Sequence, residues 1–510
     1  MNKSHYLLFA TIALFISSCF CGCSNLKWKK NKITELDSTL IRQTIYENYV
    51  RNTHYTAWDS AIYTYYKKGG DLLWLSPAGK VRQRIFLQWL KKIDKHGINP
   101  NAVGLKQILV TKEKLQELRG DNEYIRNIIS ARLEYLLSRA YLRYICGLDY
   151  GFVNPAPIYN HLYEDITAYP DTVTPPPDRK KKMFRLFVIP LKQPTSQYAI
   201  NYLELFKDNI LEPFKRVQPS TLYYHKLQIE LQRVRHERKK RICVRANLER
   251  ARWKYKQAMG KKYVFVNTAA FLLKAVDEVK DTLFDMKICC GSFKHKTPLM
   301  TASLNYCELN PNWIVPPKII RKEIIPIFAR DSSYFARNKL RVYNKQGQQL
   351  NPRRIDWSKY ENSGIPFKVI QDSGDGSDLG RIIFRFPNRF SVYLHDTSSK
   401  GVFNYSNRSV SHGCIRLERP LDLAYFLLGY PNEEKMDNIR LSVGQEPKTE
   451  KGKELKKSEM YKNKRFYGFQ HAVPLFIDYR TLYLGVDGSL HYCDDHYGYD
   501  KPLVNSLAHL

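Results

Sequence analysis

In NEYIRNIISARLEYLLSRAYLRYI (122–145), apolar side chains fall at Ile125, Ile128, Ile129, Leu133, Leu136 and Leu137. That three-and-four spacing predicts a helix with one buried stripe. The whole stretch from 34 to 149 has this helical texture, interrupted at HGINPNAV (96–103), a turn in which Gly97 ends a helix. NPAPIY and YPDTVTPPPDRKKK predict a proline-rich loop over 153–183. A second helical stretch covers about 197–252 and contains the run RVRHERKKR, which reads as an exposed helix face.

From Lys262 the pattern changes. KYVFVNTAAFLLKAV and DTLFDMKICCGSF are rich in aromatic and β-branched residues and predict strands. Pro316 and Pro317 bar a central strand, and a helix is expected after them. RIIFRFPNRFSVYLHD and VSHGCIRLE return to strand, and RPLDLAYFLLG predicts a helix opened by Pro420 and closed at Gly429. A lysine-rich loop (448–464) then leads to AVPLFIDYRTLYLGVDGSLHYCDD, where VDGS signals a hairpin. The fold class expected is α+β: a helical N-terminal domain followed by a domain built largely of strands.

Composition adds a partner class. The 510 residues have room for two or three domains, and Lys plus Arg exceed Asp plus Glu by 82 to 49, a net charge of +33. So basic a chain suits nucleic acid, a membrane surface or an acidic polymer such as cell wall. The first residues narrow the choice. Lys3 precedes an apolar run from Tyr6 to Ile16, too short to span a bilayer and like the h-region of an export signal. Small residues before Cys19 or Cys23 resemble a bacterial lipoprotein signal over 1–23, with either cysteine as the lipidated residue. Export to the bacterial envelope as a periplasm-facing lipoprotein is therefore expected, and a nucleic-acid partner is not.

Seven cysteines follow Cys23, at 146, 243, 289, 290, 307, 414 and 493, so an oxidising envelope leaves at least one thiol unpaired. Cys414 carries the sharpest question. In SHGCIRLE, strand alternation puts Ile415 and Leu417 on one face and His412, Cys414, Arg416 and Glu418 on the other. In FSVYLH it puts His395 beside Tyr393, away from Phe390, Val392 and Leu394. Histidine and arginine near a thiol favour thiolate and supply a base. Gly413 lets a backbone or a substrate carbonyl approach closely. A nucleophile, a zinc site from His395, His412, Cys414 and His491 or Cys493, and a disulfide to Cys493 or Cys307 all remain open on these residues alone.

YLHDTSSKGVFNYSNRSVSHGCIRLERPLDLA resembles the signature of the L,D-transpeptidases, a histidine followed by [Ser/Thr]-His-Gly-Cys-x-Arg/Asn. VRANLERARW, NPNWIVPPKIIRKEIIP, YFARN, IDWS, FRFPN and DDHYGYD, in that order, resemble the large YkuD-type, YcbB-like subfamily with an N-terminal scaffold domain. DLLWL and CGLDYGFVNP extend a looser likeness into the helical region. The resemblance implies a scaffold domain at 34–252 and a catalytic domain at 253–447 with a capping insert at about 316–372. It also implies a C-terminal strand extension at 465–510. It makes Cys414 the nucleophile and His395 the general base of a ping-pong acyl transfer on peptidoglycan stem peptides, with no cofactor and no metal. His412 would be auxiliary, since some relatives have serine there. Backbone N–H groups near Gly413 and Cys414 would hold the oxyanion. Arg416 would hold a substrate carboxylate or orient the site, with Tyr393 and Trp313 at the substrate cleft. The group that orients His395 is not legible. Two departures stand out: no copy of the subfamily's peptidoglycan-binding module is recognisable, and its proline-bearing lid loop appears as SGDGSDLG (373–380).

Overall fold

The computed structural model describes residues 36–51, 57–118, 122–166, 186–360, 363–374 and 376–510. The signal segment and both lipidation candidates, Cys19 and Cys23, lie outside the described residues. Among those described, no helix is long and apolar enough to cross a membrane.

The striped segment forms the helix Glu123–Tyr150, the axis of the helical region. Leu133, Leu137, Tyr141, Tyr144, Ile145 and Leu148 are buried on it, while Ile125, Ile128 and Ile129 near its start are half-buried. Aromatic rings from four other segments close on its middle: Trp74, Phe86, Phe206 and Phe214 around Tyr141. Glu134 is buried on the same helix. It accepts from the backbone N–H groups of Leu73 (2.6 Å) and Trp74 and from Tyr66 Oη (2.7 Å). Burial raises its carboxyl to about 7 despite these donors.

Two expected loops are helical. Pro155–Ile166 is a helix, because proline suits a first turn and the Asn154 side chain accepts from Ala156 N–H at 3.1 Å. The rest of that expected loop, 167–183, is outside the described residues. In the lysine-rich stretch, Glu450–Ser458 is a helix capped by Thr449, whose Oγ1 accepts from Gly452 N–H at 3.0 Å. The Asp437 carboxylate anchors its entry by accepting from the N–H groups of Lys448 and Thr449, both at 2.8 Å.

The strands run in chain order β1 (Lys262–Asn267), β2 (Leu272–Asp277), β3 (Thr282–Gly291), β4 (Met300–Leu309) and β5 (Trp313–Ile314). They continue with β6 (Leu340–Tyr343), β7 (Gln349–Leu350), β8 (Lys368–Gln371), β9 (Ile382–Arg385) and β10 (Leu394–His395). Last come β11 (Ser409–Ser411), β12 (Ile415–Leu417), β13 (Phe466–Asp478), β14 (Leu482–Leu484) and β15 (Leu490–Tyr492). The main sheet is nine-stranded, in the order β11-β3-β12-β10-β9-β4-β13-β1-β2, and a further β3–β2 pairing curls it into a barrel-like form. The segment read as a C-terminal extension thus supplies an interior strand, β13, between β4 and β1. The VDGS signal is realised as the β14–β15 hairpin.

Between β4 and β9 the chain leaves the sheet and builds a cap. Strands β5, β8, β6 and β7 form a four-stranded sheet under short helices, with its own core around Val315, Ile324, Phe335, Val342, Trp357 and Val369. The helix expected after Pro317 is present as short α and π segments from Pro317 to Phe328.

The helix Arg238–Arg252 joins the helical and sheet regions. Its first turn and the residues before it, 235–241 of RVRHERKKR, are exposed as expected, although Val234 is buried, and the end of the helix is buried. There Arg250 Nη1 meets Asp500 Oδ1 at 2.6 Å, and Arg252 Nη1 meets Glu249 Oε2 at 2.5 Å. Glu249 also accepts from the N–H groups of Phe152 (2.6 Å) and Val153 (3.0 Å). Breaking a buried pair leaves a bare charge in the interior, which costs about 3–5 kcal/mol. Glu249→Ala is expected to lose about that much in urea unfolding. A loss under about 1 kcal/mol, the range of exposed pairs, would refute this account of the joint.

Candidate active site

Parallel pairing of β10 with β12 sets Leu394 opposite Ile415 and His395 opposite Arg416. The first pair faces the core and the second faces a cleft of about 1080 Å³ between the main sheet and the cap. Cys414, His412, Gly413, Tyr393 and Trp313 line the same cleft, so the structure brings together every site residue expected from the motif. Glu418 does not line it; its carboxylate accepts from Lys287 N–H.

The nucleophile loop is shaped by local chemistry. Gly413 has φ +115°, a conformation that L side chains rarely adopt, so the extended alternation assumed for SHGCIRLE breaks there. Ser411 Oγ accepts from Gly413 N–H (3.0 Å) and donates to the Cys414 carbonyl (2.6 Å). Gly413 N–H is therefore already engaged, which leaves Cys414 N–H as the available oxyanion donor of the two. Thr297 Oγ1 donates to the Gly413 carbonyl (2.9 Å) and accepts from Gly291 N–H (2.9 Å). Tyr497, from DDHYGYD, holds that segment in turn: its hydroxyl accepts from Thr297 N–H (3.1 Å) and donates to the Gly291 carbonyl (2.6 Å). FSVYLH is strand only at Leu394–His395; Ser391 has φ +55°, and its carbonyl lies 3.6 Å from Cys414 Sγ. That backbone outlier sits at the site.

The charge state differs from expectation. Arg416 and Arg385 do favour thiolate at Cys414, as does Tyr393, but burial outweighs them and pushes the thiol up to about 11. Burial, then the Arg416 charge, depresses His395 to about 4. Thiol and imidazole are both neutral at pH 7, and no hydrogen bond joins them. Two buried atoms in the cleft have no hydrogen-bond partner: His395 Nδ1 and Arg416 Nε. No carboxylate orients His395; Asp396 spends its carboxylate on Arg381 N–H (2.8 Å) and Lys400 Nζ (2.5 Å).

His412 turns to the cap, where its Nε2 meets Glu323 Oε1 at 2.6 Å and its ring lies 4.9 Å from that of His295. Tyr393 packs under the Arg385 guanidinium at 5.6 Å, and Arg385 is itself held by Glu308 at 3.0 Å. The cleft is net cationic, with Lys296, Lys318, Arg385, Arg389 and Arg416 against Glu323 and Asp378. Sequence reasoning missed Glu323, His295, Thr297 and the role of Tyr497. Glu323, Ser411 and Tyr497 lay within quoted motifs, whereas His295 and Thr297 did not.

The alternative zinc set is not assembled. His491 Nε2 lies 2.8 Å from Ser489 Oγ and 3.3 Å from Asp487 Oδ1, and the Cys493 thiol donates to the Arg480 carbonyl at 3.4 Å. Neither residue lines the cleft. Cys414, Cys307 and Cys493 are free thiols.

Because the thiolate is the reactive form, iodoacetamide labelling of Cys414 is expected to rise about tenfold per pH unit from about pH 7 to about pH 10. A plateau below about pH 8 would show a thiol activated at rest. Arg416→Leu removes the nearby charge that disfavours imidazolium. The His395 titration followed by NMR should therefore move up from about 4 towards the ordinary value, and an unmoved titration would overturn that assignment.

Residues 261–451 match the family described as the L,D-transpeptidase catalytic domain, and residues 60–231 match one described as a scaffold domain. A Haemophilus influenzae protein provisionally named an L,D-transpeptidase is 33% identical over 165 residues, 32% of this chain and 33% of that protein. The match thus spans about a third of the relative's length. A solved structure titled L,D-transpeptidase from Mycobacterium smegmatis aligns at 14% identity and a TM-score of 0.20, over 43% of this chain and 58% of that one. So low a score bears on neither fold nor site. The chain therefore carries an L,D-transpeptidase catalytic domain over 261–451, preceded by a scaffold domain over 60–231, the YcbB-like arrangement.

Proposed function

We propose that the protein crosslinks or remodels peptidoglycan by cysteine acyl transfer, as an envelope lipoprotein anchored through Cys19 or Cys23. The observation that carries the reading is the convergence of Cys414, His395 and Arg416 on one cationic cleft beneath the cap. Stem peptides carry carboxylates, and Arg416, with its unpartnered buried Nε, is the natural group to receive one.

In the first half-reaction Cys414 Sγ bonds to a stem-peptide carbonyl carbon while its proton passes to His395. An imidazole near 4 is a weak base for a thiol near 11, so the proton leaves as the S–C bond forms rather than before it. Cys414 N–H faces the developing oxyanion. Collapse breaks the C–N bond to the terminal D-residue, whose amine takes the proton from His395, leaving a thioester. In the second half-reaction an amine of a neighbouring stem loses a proton to His395 and bonds to the thioester carbon. The C–S bond breaks, and the thiol regains the proton.

The chain from Ser24 onward, incubated with purified disaccharide-tetrapeptide, is expected to give dimers that have lost a terminal D-alanine, detected by mass spectrometry. Cys414→Ala should abolish them, with a loss of at least about a thousandfold as for other essential nucleophiles. Tripeptide without dimers would make the protein a carboxypeptidase, with water as acceptor. No Cys414-dependent product from folded protein would leave a wall-binding scaffold and refute the catalytic reading.

A further inference from the structure

A second concavity lies in the scaffold domain, between the helices Pro77–Lys91 and Leu105–Glu117. It has a volume of about 680 Å³ and an apolar floor that includes Leu75, Leu87 and Leu115. Its rim carries Lys80, Arg84, Lys91 and Lys112, and no carboxylate lines it. None of these cations makes an ion pair or hydrogen bond among the described residues. Glu113 and Glu117, on the second helix, are not part of the lining.

We propose that this groove binds a stretch of the same anionic glycopeptide polymer that the catalytic cleft acts on, an inference that rests on the function proposed above. The spacing favours a polymer over a single anionic headgroup. Lys80, Arg84 and Lys91 recur along one helix face, and at 1.5 Å per residue they extend over about 16 Å. That row matches carboxylates repeated along a strand. Gln88 on the same helix and Gln116 on the facing one are exposed among the cations and offer both donors and acceptors to sugar hydroxyls and peptide amides. The apolar floor accepts sugar faces and alanine methyl groups. The exposed basic turn at 235–241 is a poorer candidate, because Glu237 pairs with Lys240 there and Glu230 pairs with the neighbouring Arg233. The groove takes the role of the binding module that is not recognisable in the sequence, holding the enzyme on its polymer while the cleft works on a neighbouring stem.

The test uses the full chain in detergent, carrying Cys414→Ala, pelleted with purified peptidoglycan sacculi. Adding Lys80→Glu and Arg84→Glu is expected to weaken retention roughly tenfold, with an unchanged circular dichroism spectrum. Soluble disaccharide-tetrapeptide oligomers should compete, whereas polyglutamate of equal charge should not. Unchanged retention, or equal competition by polyglutamate, would overturn the proposal. With Cys414 intact, the same charge reversals should spare turnover of soluble tetrapeptide while reducing turnover of sacculi; an equal loss on both substrates would also overturn it. If no chain turns over tetrapeptide but retention still depends on Lys80 and Arg84, the catalytic reading fails and the groove stands.

Discussion

Burying the guanidinium of Arg250 in the joint between two regions is permissible only because its partners come from both sides. Asp500 supplies the countercharge from the C-terminal helix, and Tyr159 Oη, on the helix Pro155–Ile166, lies within 3.3 Å. Thr481, just before the β14 hairpin, donates to Asp500 at 2.7 Å. Without Asp500 the guanidinium charge stands unpaired in a low-dielectric interior, and without Tyr159 or Thr481 the pair loses hydrogen bonds that offset its desolvation. The constraint fixes how the helical region meets the sheet. Through the residues after Asp494 it also fixes Tyr497, which braces the segment under Gly413. The nucleophile loop is thus set by contacts from far along the chain.

The same low dielectric governs the chemistry. Cys414 and His395 have cationic neighbours that on a surface would yield a thiolate and a weakly perturbed imidazole. In the cleft, desolvation dominates and both groups rest uncharged. A neutral thiol is slow to oxidise or to react with stray electrophiles. Reactivity then depends on the arrival of a substrate that brings charge and displaces water.

Sequence legibility followed the range of the interactions. The helix stripe on Glu123–Tyr150, the turn at Gly97, the Pro420 helix and the Cys414 motif depend on residues a few positions apart, and all were readable. Pro155–Ile166 and Glu450–Ser458 were misread because proline and lysine content outweighed a cap that only one side chain, Asn154 or Thr449, supplies. The charge state of Cys414 was misjudged because a one-dimensional pattern counts neighbouring charges but does not weigh burial. The contacts of Glu323 and Thr297 were illegible for a simpler reason. Their partners, His412 and Gly413, lie about ninety to a hundred and twenty positions away, and no motif connects them.

The way the cap is attached has a further consequence. Leu309 of β4 pairs directly with Ile382 of β9, and Asn310 N–H donates to the Arg381 carbonyl at 2.8 Å. The chain therefore leaves and re-enters the sheet at adjacent points, about 5 Å apart across a strand pair. With a core of its own, the cap is an interchangeable part. Lineages are free to lengthen, shorten or replace it without shifting the register of any catalytic strand. Recognition of the substrate and the bond-making chemistry can then diverge at separate rates, one written into the insertion and the other into the sheet beneath it.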